Sequence, residues 1–104
     1  MDTLARLEAT IAARRSAAPE DSYVAQLRAR GLPTIARKLG EEAVEAVTAA
    51  LSGSDEELTG EAADVLFHLL VLLAEREIAL ADVLAELERR EGTSGLAEKA
   101  ARGS

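Results

Sequence analysis

The sequence has no cysteine and no tryptophan, and only one phenylalanine, one tyrosine and one histidine among its 104 residues. Without cysteine the chain can form neither a disulfide framework nor a thiolate metal site. Any metal site must therefore use oxygen ligands and the single imidazole, that of His68. Because aromatic residues are scarce while alanine and leucine are abundant, the composition favours helices over strands.

Positive charge is also in short supply. The chain has 12 lysines and arginines against 19 aspartates and glutamates, which gives a formal net charge of -7. We therefore expect no binding to nucleic acid, because such binding depends on clustered cationic contacts to phosphates. A ligand that carries phosphates would need a local source of positive charge.

Long hydrophobic runs are missing as well. The longest, residues 65–74, is interrupted by His68 and has about half the length needed to span a bilayer. The first residues lack the positively charged segment and the uninterrupted apolar stretch of a secretory signal. We expect a cytoplasmic protein of one domain that does not enter a membrane.

The apolar residues that are present recur at the three- and four-residue spacing of amphipathic helices. Proline, glycine and serine separate the helical stretches, and Ser54 and Glu57 have the spacing of a capping box. We predict an all-α bundle of about five helices in a domain of residues 1–92. The predicted helices cover residues 2–17, 22–30, 33–51, 54–76 and 81–91. The small and polar residues 93–104 are predicted to form a flexible tail.

Three glutamates border the apolar face of the third predicted helix. In a helical projection the apolar side chains share an arc of about 120°, and the charged side chains share the adjoining arc. The apolar set is Leu39, Ala43, Ala46, Val47 and Ala50, and the charged set is Lys38, Glu41, Glu42 and Glu45. The alternative is that Lys38 with Glu42, and Arg37 with Glu41, are ordinary surface pairs of a few tenths of a kcal/mol.

The fourth predicted helix is apolar around nearly its whole circumference, which is typical of a buried helix. One polar strip of about 60° runs along it and contains Glu57, Glu61, Asp64, His68 and Glu75. Because ionised carboxylates are rarely buried unless they are paired or bind metal, we interpret Glu61 and Asp64 as functional. Glu57 and Glu75 are predicted to be solvated. His68 is predicted to lie behind the ligands and to orient Asp64.

Acids on both helices would repel one another, and a divalent cation would relieve this repulsion. With oxygen atoms as the ligands, Mg²⁺ fits such a site, Mn²⁺ is a possible substitute, and Zn²⁺ does not fit. From the residues alone one alternative stays open, in which the acids are surface charge on a helical dimerisation module without catalytic activity.

Three segments of the sequence resemble the signatures of one enzyme family. The first contains Ser22-Tyr23-Val24, Gly31 and the run Ile35–Glu45, the second is the run Glu61–Arg76, and the third is Val83–Arg90. The first ends in Glu41-Glu42-x-x-Glu45 and the second begins with Glu61-x-x-Asp64. With the residues around these segments, the resemblance extends over roughly residues 4–91. The chain thereby resembles the phosphoribosyl-ATP pyrophosphatases of histidine biosynthesis, within the MazG-like all-α nucleoside triphosphate pyrophosphatases.

This resemblance implies a Mg²⁺-dependent homodimer that hydrolyses phosphoribosyl-ATP to phosphoribosyl-AMP and pyrophosphate. When the positions of the family's motif are matched to this sequence, the resemblance implies four metal ligands, namely Glu42, Glu45, Glu61 and Asp64. Glu41 would be a further ligand or would position the attacking water, so that all five acids are catalytic, and Lys38 would contact a substrate phosphate. A pyrophosphatase of the same superfamily that acts on dCTP, dUTP or a damaged nucleotide would share these acids and is the alternative enzyme.

Two residues depart from the pattern of the family that the chain resembles. Glu77 stands where glycine is frequent after the long helix, and Ala79 stands where a capping serine is common. Both lie in the turn before the last predicted helix, away from the acids. The two departures therefore affect the conformation of this turn and the start of the last helix, and not the acids predicted to be catalytic.

Overall fold

The computed structural model describes residues 2–92 and 95–103, and within them the chain is all-helical. The helices are α1 (Thr3–Arg14), α2 (Tyr23–Arg30), α3 (Leu32–Ser52), α4 (Asp55–Glu75), α5 (Leu80–Glu91) and α6 (Gly95–Ala101). The predicted fold class is confirmed. The short α6 was not predicted and lies within the stretch assigned to a flexible tail. That assignment stays a prediction, and Thr93, Ser94 and Ser104 are outside the described residues.

Side-chain caps begin three of the helices at positions that the sequence marks with aspartate or serine. Asp2 accepts a hydrogen bond from the backbone N–H of Ala5 at the start of α1. Ser54 and Glu57 form the predicted capping box, in which each side chain accepts from the backbone N–H of the other residue. Because Gly53 and Ser54 are the only residues between α3 and α4, the two helices fold back on each other as an antiparallel pair.

The core lies at one end of this helical pair. Side chains from α1 and α2, from the beginning of α3, from the second half of α4 and from the beginning of α5 meet there. The buried members are Ile11, Val24, Leu27, Ile35, Leu70, Val71 and Leu80. The other end of the α3–α4 pair extends beyond the core, and this extension carries most of the acids.

The apolar surface of that extension is exposed in the single chain. Val44, Val47 and Leu51 on α3 are 65%, 58% and 83% exposed, and Leu66 on α4 is 45% exposed. The prediction that α4 is buried on all sides is therefore wrong for one chain, as is the placement of Val47 in the core. A helical projection identifies an apolar face but does not tell whether the same chain covers it.

The turn between α4 and α5 closes with a pair of backbone hydrogen bonds. Ile78 donates to the carbonyl of Leu73 at 2.9 Å, and Glu77 donates to the carbonyl of Ala74 at 3.1 Å. This is the Schellman arrangement, which requires a left-handed backbone at the residue that follows the C-cap, and the C-cap of α4 is Arg76. Glu77 occupies that position with a φ of 57°. Glycine adopts this left-handed conformation easily, which explains why it is frequent at this position in the family that the chain resembles.

No helix among the described residues is both long enough and apolar enough to cross a membrane.

Candidate metal site

Three of the predicted acids come together where α3 and α4 pack against each other. Glu42, Glu45 and Glu61 each offer a carboxylate oxygen, and these oxygens all lie within 4.8 Å of one another. Glu42 and Glu45 are one turn apart on α3, so they project from the same face of that helix. Glu61 faces them from α4. The structure thus joins the two acidic segments that the sequence separates.

Burial and mutual repulsion both act on these carboxyl groups. Burial raises the pKa of Glu42, and a hydrogen bond to Glu45 and the charge of Glu45 raise it further, while His68 opposes the change. Burial likewise raises the pKa of Glu61, with the charge of Glu45 as the next cause. Because their pKa values are raised, Glu42 and Glu61 hold protons more tightly than isolated glutamates do, as expected of acids that lie close to other acids.

One oxygen of this group is left without a partner. The Oε2 atom of Glu61 is buried and has no hydrogen-bond partner within the described residues. A buried carboxylate oxygen is costly unless a donor or a cation satisfies it. Three converging carboxylates and one unsatisfied oxygen form a donor set that suits a hard divalent cation. The residues present therefore fit a metal ion that is bound through oxygen.

Asp64 lies next to the three-carboxylate group but is not a member of it. It follows Glu61 by one turn of α4, and its charge raises the pKa of both Glu42 and Glu61, behind burial and Glu45 as causes. Its side chain is exposed. Asp64 is thus an electrostatic neighbour of the group, and its role as a ligand stays a prediction.

The two surface pairs considered as the alternative interpretation, Lys38 with Glu42 and Arg37 with Glu41, are present, and Lys38 also pairs with Glu41. The Lys38 ammonium lies 3.5 Å from a carboxylate oxygen of Glu41 and 3.9 Å from one of Glu42. Glu41 also lies 3.7 Å from the guanidinium of Arg37. Half of the Glu41 side chain is exposed, whereas that of Glu42 is only 12% exposed. Lys38 therefore lies between the exposed Glu41 and the less exposed Glu42, at the edge of the three-carboxylate group.

His68 is buried, and it contacts the backbone of Asp64 rather than the Asp64 carboxylate, while its predicted place behind metal ligands stays a prediction. Its Nδ1 atom lies 2.8 Å from the backbone carbonyl oxygen of Asp64. Its Nε2 atom lies 3.1 Å from the hydroxyl of Tyr23 on α2. Tyr23 is not among the site residues predicted from the sequence. A signal was available, since it is the only tyrosine of the chain and stands directly after the capping Ser22.

A cavity of about 270 Å³ adjoins the three-carboxylate group next to the connection between α3 and α4. It is lined by Glu45, Thr48, Ala49, Ser52, Gly53, Glu57 and Glu61. Ligand cavities are usually about 300–1,000 Å³, so this one suits a small polar group rather than a whole nucleotide. Glu57, which was predicted to be solvated, is exposed and lies at its rim.

Comparisons with known proteins place these residues in a family. The family described as "Phosphoribosyl-ATP pyrophosphohydrolase" matches residues 4–91 of the chain. The chain is 69% identical over 103 residues to the phosphoribosyl-ATP pyrophosphatase of Erythrobacter litoralis, covering 99% of both chains. It is 70% identical over 100 residues to the protein of that name from Rhizorhabdus wittichii, covering 96% of this chain and 94% of the relative.

A third protein with the same name, from Dinoroseobacter shibae, is 63% identical over 102 residues, and the alignment covers 98% of this chain and 100% of the relative. The matched region contains both acidic segments and the turn at Glu77. With a family match over residues 4–91 and relatives of this identity along nearly the full length, the chain belongs to the phosphoribosyl-ATP pyrophosphohydrolase family.

Proposed function

We propose that this chain hydrolyses phosphoribosyl-ATP to phosphoribosyl-AMP and pyrophosphate, a step of histidine biosynthesis. The observation that carries the proposal is the group formed by Glu42, Glu45 and Glu61 in a chain whose family match spans residues 4–91. Relatives named phosphoribosyl-ATP pyrophosphatase, 63–70% identical, support the same substrate. We also propose that the reaction takes place in the cytoplasm.

Mg²⁺, with Mn²⁺ as a substitute, is the cofactor in this proposal. Glu42, Glu45 and Glu61 would hold it, and Asp64 would complete the set from the next turn of α4. The support is the oxygen-only donor set together with the unpartnered Oε2 atom of Glu61. When bound, the ion would neutralise charge on phosphate oxygens and polarise the phosphoanhydride.

The reaction adds water across the bond between the α- and β-phosphates, so that oxygen joins phosphorus and pyrophosphate leaves. In this proposal Lys38 contacts a phosphate oxygen, because its ammonium stands at the edge of the carboxylate group. Glu41 orients the attacking water and takes its proton, since it is the acid of α3 that lies outside the three-carboxylate group. In this proposal Mg²⁺ and Lys38 supply the local positive charge with which a chain of net negative charge binds a polyanionic substrate.

A homodimer is also part of the proposal. Val44, Val47, Leu51 and Leu66 are largely exposed on the same α3–α4 extension that carries the acids. A chain of this length gains a larger core when it shares such a surface with a second copy. A second copy on this surface would also add wall to the cavity beside Glu45 and Glu61.

The direct test is pyrophosphate release by the purified protein from phosphoribosyl-ATP, with ATP, dCTP and dUTP in parallel, each with Mg²⁺ and with EDTA. We expect Mg²⁺-dependent release from phosphoribosyl-ATP alone. Release only from dCTP, dUTP or ATP would move the chain to another activity of the same superfamily. No release from any substrate, in a sample that is folded, would contradict an enzymatic function.

A further inference from the structure

Lys38 and the candidate metal site share one carboxylate, that of Glu42. The Nζ atom of Lys38 lies 3.9 Å from Oε1 of Glu42 and 3.5 Å from Oε2 of Glu41. Glu42 also offers an oxygen to the three-carboxylate group, whose oxygens all lie within 4.8 Å of one another. A cation bound by that group would therefore meet a carboxylate that already has a positively charged neighbour.

Water screens this ion pair less than it screens an ordinary surface pair. The side chains of Lys38 and Glu42 are 30% and 12% exposed. The neighbouring pair of Arg37 and Glu41 is similar in length, at 3.7 Å, but its side chains are 69% and 51% exposed. Because water weakens the interaction of two charges, the Lys38 ammonium acts more strongly on its carboxylate than the Arg37 guanidinium acts on Glu41.

Lys38 reaches only the outer edge of the three-carboxylate group. On the α4 side the Oε2 atom of Glu61 is buried and has no hydrogen-bond partner among the residues that the structure describes. A divalent cation among the three carboxylates would satisfy this oxygen, which the ammonium at the edge does not. The ammonium and the divalent cation would then be two positive charges beside the Glu42 carboxylate, and they would repel each other.

We propose that Lys38 is the counter-ion of Glu42 in the metal-free site and that it lowers the affinity of the site for the divalent cation. This inference rests on the metal site of the proposed function. Coupling between two binding events is reciprocal, so the cation weakens the Lys38–Glu42 pair by the factor by which Lys38 weakens cation binding. Glu41 keeps the ammonium at the edge of the site when this pair weakens. Lys38 thus becomes available to a phosphate once the cation is bound.

Lys38→Met is the informative variant, because it removes the ammonium and keeps a long unbranched side chain. Calorimetric titration with Mg²⁺ and with Mn²⁺, without substrate, should give a dissociation constant about fivefold lower than that of the wild type, which is the effect in water of one unit charge at about 4 Å. The same variant should lower kcat/KM for phosphoribosyl-ATP, since Lys38 contacts a phosphate in the proposed function. Tighter metal binding together with lower kcat/KM distinguishes this inference from a role at the phosphate alone.

Arg37→Met is the matched control, because it removes one positive charge from the neighbouring position of α3. The Arg37 guanidinium pairs with Glu41, which lies outside the three-carboxylate group. We expect Arg37→Met to change the dissociation constant of the metal by less than about twofold, since water and salt screen this more exposed charge. Equal tightening in Arg37→Met and Lys38→Met would overturn the inference, because it would report only the net charge of the protein. An unchanged dissociation constant in Lys38→Met would overturn it as well.

NMR of the lysine ammonium groups tests the pair without turnover. The chain has two lysines, Lys38 and Lys99, so isotope labelling of lysine gives one signal from the site and one reference signal from α6. Mg²⁺ added at constant ionic strength should move the Nζ resonance of Lys38 and leave that of Lys99 in place. An unmoved Lys38 resonance in a protein that binds Mg²⁺ would refute this inference and leave the proposed function standing. A folded protein that binds no Mg²⁺ would contradict the proposed metal site and this inference with it.

Discussion

The Oε2 atom of Glu8 on α1 accepts a hydrogen bond of 2.7 Å from the backbone N–H of Leu80, the first residue of α5. Ala79 precedes Leu80 at the N-cap and has no polar side chain with which to cap the helix. A carboxylate from another helix therefore does what a serine does locally, and its negative charge suits a helix N-terminus. Glu8 thus supplies the hydrogen-bond acceptor that Ala79 lacks at the start of α5.

Glu8→Ala should destabilise the protein by about 1–2 kcal/mol, because it removes a charge-assisted hydrogen bond to a part-buried N–H group. For a domain of this size the melting temperature should fall by about 5–15 °C. Glu8→Gln keeps an accepting oxygen without the charge, so it should lose less than Glu8→Ala. Thermal unfolding by circular dichroism checks both variants. Equal melting temperatures for Glu8→Ala and the wild type would show that the contact contributes nothing.

Glu77→Gly should stabilise the protein. An L-residue in the left-handed region costs about 1–2 kcal/mol, and glycine adopts it without that cost. Part of the gain is lost because glycine makes the unfolded chain more flexible, so we expect a net gain of about 0.5–1 kcal/mol. The measurement is the midpoint of urea unfolding.

Glu77→Ala separates the backbone effect from the effect of the glutamate side chain. Alanine removes the carboxylate but keeps the strained backbone conformation, with a φ of 57° at this position. We expect Glu77→Ala to lack the gain seen with glycine. If alanine stabilises the protein as much as glycine does, the cause is the side chain of Glu77 and not its φ.

The helices and the approach of the two acidic segments could be predicted from local information. Ser54 and Glu57 set the start of α4, and the short connection at Gly53 forces α3 and α4 to pair, so Glu42 and Glu61 had to be close. Leu4, Leu7 and Ile11 have the three- and four-residue spacing of one helical face, and all three belong to the core or pack against it. These features depend on residues a few positions apart in sequence.

Contacts between distant parts of the chain could not be predicted in this way. Nothing near Leu80 indicates that Glu8 caps it, and nothing near His68 indicates that Tyr23 binds it, because each pair depends on how whole helices pack. The exposure of Val47 was missed for the same reason. A helical projection places Val47 with the apolar residues of α3, and only the packed structure shows that this chain leaves it uncovered.

Val44→Glu together with Leu51→Glu should weaken the proposed homodimer. Both side chains are exposed on α3 and would be buried in an interface between copies, where an unpaired carboxylate costs several kcal/mol. Sedimentation equilibrium should give a dimer for the wild type and a shift toward monomer for the double variant. Leu96→Glu, at another exposed leucine on α6, is the control and should leave the mass unchanged. A monomeric wild type would contradict the dimer.

The metal-free protein should lose stability as the pH rises through the raised pKa values of Glu42 and Glu61. Burial and the neighbouring Glu45 hold these pKa values above those of the unfolded chain, so the folded state binds the protons more tightly. The resulting stability is complete below the unfolded pKa and disappears as the folded groups ionise. In EDTA, melting temperatures from about pH 4 to pH 7 should therefore fall more in the wild type than in Glu42→Gln/Glu61→Gln. If the melting temperatures of the two proteins fall equally as the pH rises, the predicted direction of the effect is wrong.

Glu61→Gln should abolish turnover while leaving the fold intact. The variant keeps the shape of the side chain but replaces the unpartnered, buried carboxylate oxygen with a neutral amide. Asp64→Asn should do the same, and Glu56→Gln, an exposed acid on the same helix, should stay active. Full activity in both Glu61→Gln and Asp64→Asn would show that these acids are not catalytic.

Metal binding can be separated from catalysis in the same set of variants, because a ligand that binds only the folded state stabilises it by mass action. A concentration 100 times the dissociation constant contributes about 2.7 kcal/mol. Added Mg²⁺ should therefore raise the melting temperature of the wild type and of Glu56→Gln by several degrees, and that of Glu61→Gln much less. If Glu61→Gln is stabilised by Mg²⁺ as strongly as the wild type, the ion binds elsewhere, and Glu61 acts on the substrate rather than on the metal.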